Sequence, residues 1–201
     1  MTTYAWPTTP GWQASRFEMR VAPNVYTFTA PYSKTTQTVD FLGERWSVSM
    51  DLPANTDNVL GAAREAFFDR LRGQVNLISL WNLRLPVPQG TISCSPTVSG
   101  TVAQLANTMN VQASAGQTLR AGDHLGVGGQ LVRVMADITA DGSGLFTGVE
   151  FLPRSRAGFT SGAAITLNRP TANFMLTADG VPVSWRNGLF DASTFQLIEA
   201  Y

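Results

Sequence analysis

Few side chains in this 201-residue chain could do covalent or metal chemistry, and the spacing of each says which chemistry it would serve. His124, the single histidine, follows Asp123, so a carboxylate could orient its imidazole for general-base work. Neighbours on a strand point to opposite faces, however, and no GxSxG elbow supplies a nucleophile, so His124 reads as a surface hairpin residue. Cys94, the single cysteine, excludes an internal disulfide and a cysteine zinc site. Its neighbours Ser93 and Ser95 offer no base to activate the thiol, so it reads as a small buried core residue. Asp137, Asp141 and Ser143 resemble part of a calcium loop but lack its spacing and its terminal glutamate; an Asp-Gly turn is expected. Gly126, Gly128 and Gly129 have no following Lys-Ser/Thr or helix, so they do not read as a phosphate cradle. Glu18, Glu44 and Glu150 are candidates for a glycosidase pair, yet no spacing selects two of them. The expectation is a protein without catalytic, cofactor or metal site.

The aromatic residues admit another use, because Trp6, Trp12, Trp46, Trp81 and Trp185 could stack on sugar rings. Trp46 falls on the apolar side of an alternating strand and Trp81 in an apolar run, which makes both core residues. Trp6 and Trp12 sit in an arm flanked by Pro7, Pro10 and Gly11; two exposed tryptophans are costly, so they dock on a neighbour or on their own domain. Charge argues for an assembly subunit. Lys+Arg and Asp+Glu are 14 each, which removes charge-driven binding to nucleic acid or anionic membrane. Charged residues are 14% of the chain, below the usual ~25%, as on a surface covered by partners. All basic residues but Lys34 are arginine, which suits subunit interfaces and is equally the outcome of GC-rich coding. No apolar run reaches the ~20 residues of a membrane span, and the start of the chain lacks the basic and apolar regions of a signal peptide, so folding in a cytoplasm is expected.

The elements that must position these residues are mostly short strands, punctuated by glycine and proline. In 16–21, Phe17, Met19 and Val21 alternate with Arg16, Glu18 and Arg20, and 25–29 follows the turn-prone Pro23-Asn24. The clearest strand is 44–52, where Trp46, Val48, Met50 and Leu52 share one face. The period then changes: Thr56 or Asp57 caps a helix to about Arg72, Gly73 ends it, and Leu60, Ala63, Phe67 and Leu71 form one apolar stripe with Phe68 beside it, while Arg64, Glu65, Asp69 and Arg72 lie elsewhere. An apolar strand follows at 75–83. From 89 to 168 the chain turns rich in Gly, Ser, Thr, Ala and Val, with tight turns at 121–123, Gly128-Gly129 and 141–144 separating short strands, the pattern of a small closed or nearly closed barrel. Strands at 173–178 and 194–200 then return to the aromatic composition of the first half. The expected architecture is mainly β: a β-sandwich with one flanking helix over 1–88 and 169–201, and a small β-barrel inserted at 89–168.

The order of features in the first half, a strand over 45–52, an aromatic helix ending Ala66-Phe-Phe-Asp-Arg-Leu-Arg72-Gly73, then an apolar strand with Trp81, resembles the distal tail proteins of long-tailed bacteriophages and, more loosely, their tail-tube subunits. The resemblance covers about 1–88 and 169–201. It implies a structural, non-enzymatic virion protein without cofactor, a hexameric ring that joins the tail tube to the tail tip and lines the DNA channel. The implied partners are other copies of the chain, the tail tube protein, the tail tip or hub protein and the tape measure protein, with assembly in the bacterial host cytoplasm and no tight nucleic-acid or membrane binding. The segments 4–12 and 195–201 are apolar enough to clasp neighbours. With the motif residues, they make Trp6, Trp12, Arg45, Phe67, Arg72, Trp81, Phe195 and Tyr201 the candidate subunit interface. The competing readings are a carbohydrate- or receptor-binding module at the tail tip and a hydrolase built on two carboxylates.

Overall fold

A computed structural model describes residues 1–200, and Tyr201 lies outside the described residues. In chain order the elements are β1 (Thr3–Ala5), β2 (Arg16–Ala22), β3 (Val25–Thr29), β4 (Thr36–Asp40), β5 (Arg45–Leu52), α1 (Asn58–Leu71), β6 (Leu77–Trp81), β7 (Thr97–Ser99), β8 (Thr108–Gln112), β9 (Thr118–Leu119), β10 (His124–Val127), β11 (Gln130–Val134), β12 (Ile138–Thr139), β13 (Leu145–Leu152), β14 (Ile165–Thr166), β15 (Thr171–Leu176), β16 (Trp185–Arg186), β17 (Leu189–Phe190) and β18 (Ser193–Glu199). The fold is mainly β with one helix. The chain divides into two compact units, and neither is continuous. The first takes Met1–Arg20, Trp46–Arg84 and the chain from Thr171 onward; the second takes Val21–Arg45 and Leu85–Pro170. Residues 21–45, expected with the first half, therefore group with the second.

The first unit is one six-stranded sheet in the order β1-β6-β15-β18-β5-β2. One strand in from the β2 edge is β5, where Trp46, Val48, Met50 and Leu52 are fully buried and alternate with half-buried Arg45, Ser47, Ser49 and Asp51. Strict alternation on a central strand means one apolar face and one polar face. β18 completes the sheet late in sequence, pairing antiparallel with β5 and with β15. Ile78, Leu80, Phe174, Leu176, Phe195 and Leu197 continue the buried face. The layer opposite is α1 with the N-terminal arm: Phe68 of the helix meets Phe195 of β18 edge-on at 5.0 Å. The expected sandwich is therefore not formed: one sheet is covered by a helix and the arm, where a sandwich would stack a second sheet.

Local chemistry sets the helix ends. The Asp57 side chain accepts from Val59 N–H, and Arg72 takes the left-handed conformation at the other end, with Gly73 also at positive φ (64°). The buried stripe differs from the expected one. It is Gly61, Arg64, Phe68 and Leu71, while Ala63 is exposed and Phe67 half-buried. Gly61 explains the rotation, because the ring of Phe190 occupies the space a Cβ would need. Only glycine lets α1 approach this closely, and that brings the next stripe residue, Arg64, inside.

The second unit curls a six-stranded sheet, β14-β10-β11-β13-β8-β7, around Val111, Leu119, Leu125, Val132, Phe146 and Phe151. The expected barrel does not close. Its edge strands, two and three residues long, meet at one isolated bridge, Thr97 with Ala164, too short a contact for a continuous ladder. The expected Gly128-Gly129 turn joins β10 and β11 with both glycines at positive φ (57° and 78°). β3 and β4 form a separate two-stranded ribbon.

Gly61→Ala sets helix propensity, worth about 1 kcal/mol in favour of alanine, against overpacking on Phe190, worth about 1–3 kcal/mol. The expected result is a net loss of stability, a lower midpoint in thermal unfolding, instead of the gain an exposed helical glycine would give.

Candidate assembly interface

The structure scatters the side chains that could have done chemistry. Asp123 is buried as a backbone tie: Oδ1 accepts from Gln89 N at 2.6 Å and Oδ2 from Gly90 N at 3.2 Å and Arg120 N at 2.8 Å. His124, expected at the surface, is buried instead, because both faces of β10 are covered, and its Nε2 accepts from Nε of Arg133 across the hairpin at 3.3 Å. Asp137 accepts from Arg120 and from Ala121 N, and Asp141 caps its own turn through Ser143 and Leu145, the expected turn chemistry. Glu18 pairs with Arg16 and Glu44 with Arg154, so these carboxylates are matched with arginines.

Cys94 also departs from expectation. It is exposed and at positive φ (66°), a loop geometry that turns the thiol outward to polar neighbours. The Ser114 hydroxyl at 3.3 Å, then that of Ser93 at 3.8 Å, holds the thiol below the ordinary cysteine range by favouring the thiolate.

The eight interface candidates fall into groups. Trp6, Trp12, Phe67 and Phe195 come together, but as a core cluster of the first unit. Trp6 meets Trp12 at 5.6 Å and Phe67 at 5.8 Å, Trp12 meets Phe67 at 5.1 Å, and Trp6 lies 6.1 Å from Phe195. Trp6, Trp12 and Phe195 are buried at 3%, 6% and 5% exposure, so they are spent inside this chain and are withdrawn as contacts to a neighbour. The reason is local pairing: β1 runs parallel to β6, and Trp6 N donates to Ser79 O at 3.0 Å, which lays the arm on its own sheet.

Arg64 completes that docking. The side chain is 1% exposed; Nη1 donates to Pro53 O at 2.7 Å and Nη2 to Gly11 O at 2.6 Å. Burial pulls its pKa down, since the charged form loses water. Helical spacing alone placed Arg64 off the apolar stripe; the signal that it belongs inside was Gly61 three residues earlier.

Arg45, Arg72 and Trp81 lie elsewhere. Arg45 and Trp81 are half-buried on the polar face of the sheet, on β5 and β6. Across the four central strands that face carries Ser47, Ser49 and Asp51, Thr194 and Gln196, Thr171 and Asn173, and Ser79, with Leu77, Met175 and Ile198 as an apolar strip at one end; Ser49 pairs in register with Gln196, Asp51 with Thr194, Asn173 with Ser79 and Met175 with Ile198. Its ionic side chains are Arg45 and Asp51. Arg72 is exposed beside Tyr4 and Arg70 in an open cleft of about 750 Å³ along the β1 edge. Among the described residues neither sheet edge has a further strand beside it: β1 ends one side and β2 the other. On β1, Thr2 O and Trp6 N both bond to β6, so the alternate groups, Thr3 and Ala5 N–H, face away from the sheet.

No family model matches the chain, and no curated protein matches it.

Two measurements check this account. Arg64→Ala leaves two buried carbonyls unpaired and frees the arm; the expected cost is about 3 kcal/mol in denaturant unfolding, with tryptophan emission shifted to the red as Trp6 and Trp12 gain water. Ser114→Ala removes the main thiolate donor, so the pH midpoint for alkylation of Cys94 moves up towards that of free cysteine.

Proposed function

We propose that this chain is a structural, non-enzymatic subunit of a bacteriophage tail, a distal tail or baseplate hub protein whose copies form a ring that joins the tail tube to the tail tip and encloses the DNA channel. The observation that carries the reading is the first unit's six-stranded sheet, open at both edges and, across its four central strands, mostly polar with few charges on one face. Open edges extend a sheet from one copy into the next through main-chain hydrogen bonds. A fixed rotation between copies closes such a contact into a ring. A wall of Ser, Thr, Asn and Gln suits a channel through which DNA slides, because affinity for phosphate comes from Lys and Arg. The net charge of zero has the same effect on the whole subunit.

The order of strand, aromatic helix, Arg72-Gly73 and Trp81 strand supports placing the ring among distal tail proteins, where rings are hexameric and adjoin tube, tip and tape measure proteins. The reading locates the protein at the distal end of the tail in the virion, after assembly in the host cytoplasm. A sugar-binding module is the weaker reading. With Trp6, Trp12 and Trp46 buried, it keeps Trp185, 58% exposed, as its open platform.

Purified protein examined by negative-stain electron microscopy and sedimentation is expected to form rings with a central hole. Ala5→Pro removes an outward N–H at the β1 edge while sparing the bonds to β6, so the variant is expected to stay folded and ringless. A wild-type chain that remains a folded monomer at the highest attainable concentration overturns the reading.

A further inference from the structure

The ribbon of β3 and β4 in the second unit is exposed at every position but Val39. Two-stranded ribbons standing in water are marginal, so a folded one of this kind gains from being covered. Register puts Tyr26 opposite Val39 and Phe28 opposite Gln37 on one face, and Thr27 opposite Thr38 on the other. The Tyr26 and Phe28 rings touch edge-on, centroids 4.5 Å apart, yet remain 54% and 56% exposed; Tyr32 at the turn is 99% exposed.

We propose that this ribbon docks on the ribbon of a second copy of the chain, aromatic face to aromatic face and antiparallel. The area fits. At ~200 Å² per aromatic side chain, Tyr26, Phe28 and Tyr32 hold about 400 Å² in water, near half of the ~800 Å² one partner contributes to an ordinary interface. The charges fit as well. Lys34 at the turn and Asp40 at the base are the ribbon's only ionic side chains, too few cations for nucleic acid or anionic lipid. Asp40 and Glu44 share Arg154, at 3.2 and 3.5 Å, so that trio is one negative charge in excess. Antiparallel stacking of two copies sets each positive tip against the other's negative base, and the contact is self-complementary. A patch this small gives a weak pair alone and adds strength where copies are already held together. The proposal stands on the second unit and does not depend on the ring.

The test is sedimentation over a concentration series, in the wild-type and Ala5→Pro backgrounds, of Tyr26→Ser/Phe28→Ser, of Lys34→Glu, and of Trp185→Ser as a control on the other exposed ribbon. Reversible pairing is expected in both backgrounds, unchanged by Trp185→Ser and at least tenfold weaker in the double variant with an unaltered circular dichroism spectrum. Lys34→Glu alters no aromatic contact; it weakens pairing at low salt, and the difference narrows at high salt. Pairing equally strong in the double variant and in Lys34→Glu overturns the proposal. So does a wholly monomeric Ala5→Pro chain, and where wild-type rings persist in that case the ring reading survives alone.

Discussion

Arg64 donates to carbonyls 53 residues before it and 11 residues before it, at Gly11 and Pro53, from a position water hardly reaches. Among the described residues no carboxylate pairs with it, so the cost of burying its charge is offset by carbonyl dipoles and short charge-assisted bonds. Planar guanidinium geometry lets one side chain hold two backbone segments at once. The arm it holds brings Trp6 and Trp12 onto Phe67 and Phe195, and that cluster covers the apolar face of the sheet. Gly61 makes the arrangement possible by letting the helix come close enough for Arg64 to reach.

Covering one face in this way leaves the other face and both edges for assembly. The arm that looked like a clasp for neighbours is consumed within the first unit, so in the proposed ring the sheet edges and the polar face are left to carry the contacts between copies. This division suits a ring component: stable by itself through its aromatic layer, and joined to others by backbone groups whose hydrogen bonds need no particular side chain.

In the second unit, Asp123 has the organising role that Arg64 has in the first, with the charge reversed. One buried carboxylate accepts from three backbone amides and fastens the segment entering at Gln89 to the turn before β10. A buried acid satisfied by three amide donors acts as a structural tie between backbone segments. The Asp123-His124 pair is adjacent in sequence and divided in space, each member tied to a different partner.

How much was legible follows from the range of each interaction. Alternation in 45–52, the capping of α1 by Asp57 and the Gly128-Gly129 hairpin rest on neighbours a few residues apart, and the sequence carries them directly. The mainly-β class with a single helix follows from the same local patterns. Which helical stripe turns inward did not follow, because it depends on Phe190, far along the chain, filling the space above Gly61. The fates of Trp6 and Trp12 as core, of Cys94 as exposed and of His124 as buried were likewise decided by tertiary contacts, since residue type states how much burial a side chain rewards and not which surface supplies it. Sequence determined the periods, the turns and the absence of surplus charge; the tertiary structure decided which aromatic residues are buried within the chain and which edges stay open, because those depend on pairings between strands far apart in sequence, β1 with β6 and β18 with β5.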